Sequence, residues 1–427
     1  MLVLTKKEYL PGIIVIVFLS ITSTVSEDLR SAANVLCIGT LLILYLQKEG
    51  FSLTLFKTLP GSFKILSTLF MTSLVLSSIY NSAYIIGAGE IMRMALFLII
   101  IFLFYGSIES IKSIKIIIYA MVLSAIIMSV SIIIGFLQSD LALYILETKM
   151  MVKERGYMGN EAGTGGVLAI TVQLTLYLIF NCKTKKRYLY LALLLQSIGL
   201  FLTNSRGAII AAFVGTCLLF LILKREQFKK GLLRIFIAVG VFILYIPSVF
   251  NAFELYFRTD RILENTRYFL WDISFDVIRN HPIFGVGPGM FKYYMYKYCP
   301  VMLGTWNEQS IRWVYDVAGA GHSHNFYLYR TAELGIFGLA VSLCFPLLLI
   351  KIALSVAKQY RNNFEVYSFA IIAFSIIIGM LCRGFVESTG IITNGWITRD
   401  LGIWMVFVLI SAIYYKNIQA NENTNIS

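Results

Sequence analysis

Charge is scarce in this sequence. Asp, Glu, Lys and Arg supply 14% of its 427 residues, where a soluble chain carries about 25%. The hydrophobic share of 58% exceeds the roughly 45–50% of soluble proteins. That balance excludes a soluble enzyme and a disordered scaffold alike. Cysteine is sparse too: Cys37, Cys182, Cys217, Cys299, Cys344 and Cys382 form no CxxC pair and no metal-ligand spacing. A disulfide framework and a zinc site are therefore not expected. No Asp-x-Asp pair occurs, so a metal-assisted sugar transfer of that kind lacks its ligands. The first apolar run has no small-residue cleavage site, and is expected to stay as a span.

What the chain does have is long apolar runs, with a mean hydropathy of +0.78. A bilayer core of about 30 Å needs roughly 20 apolar residues per helix, and helices satisfy their own backbone in lipid. The runs fall near 10–25, 31–47, 65–85, 88–105, 113–136, 165–180, 188–203, 207–223, 235–250, 334–352, 366–382 and 401–415. The expected fold class is an all-α polytopic membrane protein of about twelve transmembrane helices, residues 1–427 forming a single membrane domain. Alternating ten-residue strands, which a membrane β-barrel requires, are absent from the sequence.

The net charge of +13 sits in short clusters between the runs, a pattern of membrane topology rather than of nucleic-acid binding. With Lys6 and Lys7 inside, alternate connectors carry Lys48, Lys57 and Lys64, then Lys112 and Lys115, then Lys183, Lys185, Lys186 and Arg187. Further on they carry Lys224, Arg225, Lys229, Lys230 and Arg234, then Lys351, Lys358 and Arg361. Both termini are thus expected in the cytoplasm. The polar tail 417–427 is expected to fray.

The opposite side holds one large connector, 251–333, too long for a simple turn and so expected to be functional. Within it, about 265–280 reads as an amphipathic helix. Trp271, Phe275 and Ile278 form its apolar stripe, and it lies on the outer surface or caps a cavity. Pro282 stops it, and GVGPGMF (Gly285 to Phe291) makes a turn.

Only His281, His322 and His324 are available as imidazoles. His322 and His324 precede the tenth run, where an imidazole suits proton abstraction near neutral pH. The same positions also fit a helix start, capped by His324 or Asn325. Arg206, Arg155, Arg261, Arg267 and Arg383 lie on the side otherwise poor in cations. A guanidinium fork grips a diphosphate bidentately; snorkelling to lipid phosphates is the plainer reading of any one of them. Glu90 with Arg93, and Arg330 with Glu333, are spaced for local pairing. Asp272, Asp276 and Glu387 are carboxylates on the same outer side.

Three segments together resemble a known family. His324-Asn325, nine residues, then Gly335-Ile-Phe-Gly338 resembles the H-N-x9-G-x-x-G signature of bacterial O-antigen ligases and the related O-antigen polymerases and protein O-oligosaccharyltransferases. TNSRGA around Arg206 resembles the family's SRGA segment. RYFLWDISFDVIRNHPIFGVGPGMF resembles its R-x-x-x-W…P-x-x-G-x-G-x-x-F stretch. Val341 stands where the signature often continues to Gly, Thr or Tyr, and KERGYMGNEAG matches only loosely.

The resemblance implies an inverting, metal-independent glycan transferase without a nucleotide or other cofactor. It implies a glycan donor on undecaprenyl diphosphate, a glycan, lipid or protein acceptor, and an active site facing out of the cytoplasmic membrane. By motif, His324 would be the base, Arg206 and Arg267 would hold the diphosphate, and Asn325, Arg155, Arg261, His322 and Arg383 would support them. A capsule or O-antigen polymerase fits the same residues. A lipid-linked glycan flippase is the alternative from another class, although transporters often show two related halves. A catalytically dead relative that recruits partners is a third reading.

Overall fold

The computed structural model describes residues 10–16, 39, 43, 59–138, 161–182, 186–223, 266–298 and 322–418. Among these the secondary structure is entirely helical. The helices are α1 (Leu10–Ile16), α2 (Gly61–Tyr80), α3 (Tyr84–Ser107), α4 (Ile111–Gln138), α5 (Glu161–Asn181), α6 (Lys186–Leu202) and α7 (Arg206–Leu223). They continue as α8 (Thr266–Asn280), α9 (Phe291–Tyr298), α10 (Phe326–Gln359), α11 (Phe364–Arg383) and α12 (Ile397–Lys416). Seven of them, α2 to α5, α7, α10 and α11, are long and apolar enough to cross a membrane. The expected spans at 31–47 and 235–250 lie outside the described residues, save positions 39 and 43, as do the side chains of Arg155 and Arg261.

Lipid is as apolar as leucine, so these helices associate by close packing rather than by a hydrophobic drive. The α7–α11 pair shows how. Ala208, Ala211 and Ala212 line one face of α7 with Gly215 and are buried. A Cβ on Gly379 of α11 would stand 2.3 Å from the Ala211 carbonyl oxygen, so the two backbones meet there. Elsewhere aromatics fill the centre: Phe345 of α10 stacks on Trp404 of α12, with ring centroids 4.1 Å apart.

The bundle has two chemically different ends. At one, Lys115 pairs with Glu365 at 2.7 Å, and Lys416 Nζ donates to the carbonyls of Tyr105 and Ile108. At the other gather the α2–α3, α6–α7 and α11–α12 connectors, the stretch 282–290 and the start of α10. Lysine and arginine divide between these ends. Of the described lysines only Lys292 belongs to the second end, whereas of the described arginines only Arg187 and Arg361 belong to the first.

Two readings of the large connector need correction. Helix α10 begins at Phe326, well before the expected 334, because Arg330 and Glu333 are buried in it rather than looped out. Helix α8 does form, but its buried face is Leu270, Ile273 and Val277, packed with Phe291, Tyr329 and Ala332. Phe275 is exposed, so the Trp271–Phe275–Ile278 stripe is not what seats the helix; Ile278 alone of the three is packed against that cluster.

The glycines explain how this connector docks. Gly335 breaks α10, with φ 69° and ψ −174°, a region closed to residues with a side chain. Into the break goes the segment after α8: Val286 and Gly287 donate to the carbonyls of Ala332 and Glu333 at 3.0 and 2.9 Å, and Ile336 donates to Pro282. A Cβ on Gly335 would sit 1.9 Å from the Ile283 carbonyl oxygen. Ser77 of α2 ties the joint by donating to the Phe284 carbonyl at 2.6 Å.

Candidate active site

The site is built on the turn that opens α10. Asn325 is its N-cap: the side-chain oxygen accepts from the backbone N–H groups of Tyr327 and Leu328, both at 3.0 Å. This satisfies two donors that a helix start leaves open. The opposite end of the same amide donates to the Phe385 carbonyl, and the Asn325 backbone N–H donates to Ser388 Oγ. Phe326 N–H reaches the Gly384 carbonyl at 2.7 Å, and the Tyr327 hydroxyl reaches Leu381. The turn is thus fastened to the α11–α12 connector. These anchors hold His324 at φ 50°, in the left-handed region that few side-chain-bearing residues occupy.

That fastening brings His324 to Glu387. Nδ1 of the imidazole is buried and lies 3.7 Å from Glu387 Oε2, while about a third of the ring's surface stays open. Glu387 is fixed by its own Oε1, which accepts from Ser388 N–H at 2.9 Å. Burial alone would raise the Glu387 carboxyl. Its neighbours His324, then Arg383 and Arg267, outweigh it and hold this carboxyl well below the usual range. Arg267 enters from the first turn of α8; its burial lowers it, and the charge of Glu387 opposes that. Arg206 opens α7, and the next residue, Gly207, packs against Val386, Arg383 and Glu387. So Arg267 and His324 meet on Glu387, and the chain next to Arg206 packs against the same connector.

Other residues singled out from sequence have different surroundings. Arg383 is fully buried and donates to the carbonyls of Thr389 and Ala162 at 2.7 and 2.6 Å, so it braces the connector under the site. Burial, Arg399 and His324 lower the His322 imidazole to about 3. It is therefore neutral, with Nε2 3.4 Å from Arg399. His281 packs its ring edge against Tyr294 at the far end of α8. Asp276 meets Arg279 on the surface, and Asp272 is exposed.

The expected Glu90–Arg93 pair is present at 2.6 Å. Arg330 and Glu333 instead meet through Asn394: the Arg330 guanidinium donates to its side-chain oxygen at 2.5 Å, and its amide donates to Glu333 Oε2 at 3.5 Å. Arg330 also donates to the Ile392 carbonyl. Glu333 Oε1 accepts from Gly289 N–H at 2.9 Å, which links the glycine turn to α10. Asn394, Arg399 and the role of Glu387 were missed from sequence. An acid in a short, otherwise uncharged connector on the histidine side was the available signal for Glu387. Among the described residues no three His, Cys, Asp or Glu side chains gather in a set fit for a metal ion.

Residues 190–343 match the model of the family described as O-Antigen ligase. The match spans Arg206, Arg267, the His324–Asn325 turn, Gly335 and Gly338, and supports an O-antigen ligase-like family for this chain. Glu387 and Arg399 lie beyond it. No curated protein matches the chain.

Proposed function

We propose that this chain is an inverting glycan transferase of O-antigen ligase-like type. It moves a saccharide from undecaprenyl diphosphate to an acceptor hydroxyl on a glycan, lipid or protein. The observation that carries the reading is the imidazole of His324 held between a buried carboxylate and open space, with Arg267 acting on the same carboxylate. In this reaction His324 takes the proton of the acceptor hydroxyl. The freed oxygen attacks the anomeric carbon from the face opposite the diphosphate. The carbon–oxygen bond to the diphosphate breaks, its electron pair stays on the leaving phosphate, and the anomeric configuration inverts. Glu387 stabilises the imidazolium that forms. Guanidiniums already in place stabilise the charge growing on the diphosphate without reorganising. The lipid carrier is itself the activated donor, so the scheme calls for neither nucleotide nor metal ion.

The distribution of cations supports the orientation. The short connectors at the end opposite the site carry the clusters of Lys and Arg that mark the cytoplasmic side of a multi-pass protein. The site then faces outward from the cytoplasmic membrane, about twelve spans fit the chain, and both termini lie inside. The test is a gel profile of surface and lipid-linked glycans from cells with wild-type protein, His324→Ala, or none, at equal expression. We expect His324→Ala to match the null. Long chains stranded on the carrier identify a ligase, and single repeats on the acceptor a polymerase. A His324→Ala profile equal to wild type, with the null defective, removes the catalytic assignment and favours transport.

A further inference from the structure

Arg399, which is partly exposed, differs from the buried arginines in what it touches. Arg330 and Arg383 each donate to two protein oxygens. The Arg399 guanidinium approaches His322 Nε2 at 3.4 Å and makes no other hydrogen bond and no ion pair among the described residues. Glu387 and Asp400 attract it from a distance, but Asp400 is engaged by Thr393 and Glu387 by His324. Beside it stands Trp396, 39% exposed. The guanidinium carbon of Arg399 lies 4.8 Å from the centroid of that ring, and the guanidinium carbon of Arg93 lies 4.4 Å from it. Arg93 is 38% exposed, and Glu90 neutralises it in part. Arg93 and Arg399 also repel each other.

Two cations share one half-open indole, and among the described residues Glu90 on Arg93 is the one carboxylate paired with either, so an arriving anion completes the site. The indole adds apolar surface with a polar edge, a combination suited to ring-shaped ligands. His322 connects this patch to His324, two residues along the chain, where the acceptor hydroxyl must arrive.

We propose that Arg93, Trp396 and Arg399 form a second anion-binding subsite, separate from Arg206 and Arg267, that takes an acidic sugar residue. Its carboxylate or phosphate lies between the two guanidiniums and its ring lies against the exposed part of Trp396. The position of this subsite in a transfer reaction rests on the transferase reading above; its ligand chemistry does not.

The test is calorimetric titration of the purified full chain with glucuronate, glucose and acetate. Wild type should bind glucuronate and not glucose, and should bind acetate more weakly than glucuronate. Loss of a charge-assisted hydrogen bond should weaken glucuronate roughly tenfold in Arg399→Gln. Arg93→Gln, a change at the exposed side, should act in the same direction, and Trp396→Leu should weaken glucuronate but not acetate. Arg206→Gln and His324→Ala should bind glucuronate as wild type does. Absence of glucuronate binding, or equal affinity in monodisperse Arg399→Gln and Arg93→Gln, overturns the subsite. Acetate binding as tightly as glucuronate overturns its saccharide character. Loss of binding in phosphatidylglycerol nanodiscs but not phosphatidylcholine ones assigns the patch to lipid headgroups and also overturns it. If His324→Ala still transfers glycan while these binding results hold, the transferase reading fails and the subsite stands.

Discussion

His324 Nδ1 and Glu387 Oε2 face each other at 3.7 Å from opposite sides of the site, one on the turn before α10 and the other on the α11–α12 connector. A carboxylate in that place orients the imidazole. Glu387→Gln keeps the shape and removes the charge. Initial transfer rates in membrane vesicles should fall about hundredfold, the low end of what acid–base catalysis contributes. An unchanged rate at equal expression would remove Glu387 from the mechanism.

Stability should depend on pH in two separate windows. The folded His322 imidazole titrates at about 3, against about 6.5 in an unfolded chain. Between those values the unfolded state binds the extra proton, so stability falls as pH drops below about 6.5. The Glu387 carboxyl is depressed instead. Its contribution is complete above the unfolded value of about 4.3 and fades only as pH falls further. From about pH 6.5 to 4.5 wild type should therefore lose stability relative to His322→Gln, read as a change in the difference between their unfolding temperatures. A difference that stays constant with pH would contradict the neutral imidazole.

Arg206→Lys should fail to restore transfer, since a point charge does not reproduce a bidentate fork. The same holds for Arg267→Lys. The measurement is complementation of a null strain, read as surface glycan, and full complementation would count against diphosphate binding at either residue.

Gly335→Ala should destabilise the fold by roughly 1–3 kcal/mol from backbone strain alone. More is expected from the collision of the new Cβ with the Ile283 carbonyl. Thermal unfolding in detergent should show a clear drop, together with faster proteolysis within 282–290. An unchanged melting temperature would mean that the break in α10 is not needed.

Hydropathy made the helices legible because each apolar run is long enough to stand out against sparse charge. It misjudged the start of α10 because Arg330 and Glu333 are satisfied by Asn394, a partner far along the chain. Period alone did not choose between two apolar faces of α8: Trp271, Phe275 and Ile278 form one stripe, Leu270, Ile273 and Val277 the other. The choice is made by the shape of α10. The site was legible where it is local, in His324-Asn325 and its spacing to Gly335 and Gly338. Glu387 and Arg399 enter through tertiary approach, and no spacing rule carries that.

The joint at Gly335 also limits how this protein can be recombined. Val286 and Gly287 donate backbone hydrogen bonds across the interrupted helix, so the stretch after α8 and the span it enters are two halves of one mortise. A chimera that exchanges the outer connector alone would bring in a tenon cut for another slot. Functional grafts between homologues should succeed when the crossovers fall outside 282–338 and fail when one falls within it, whatever the chemistry of the exchanged surface.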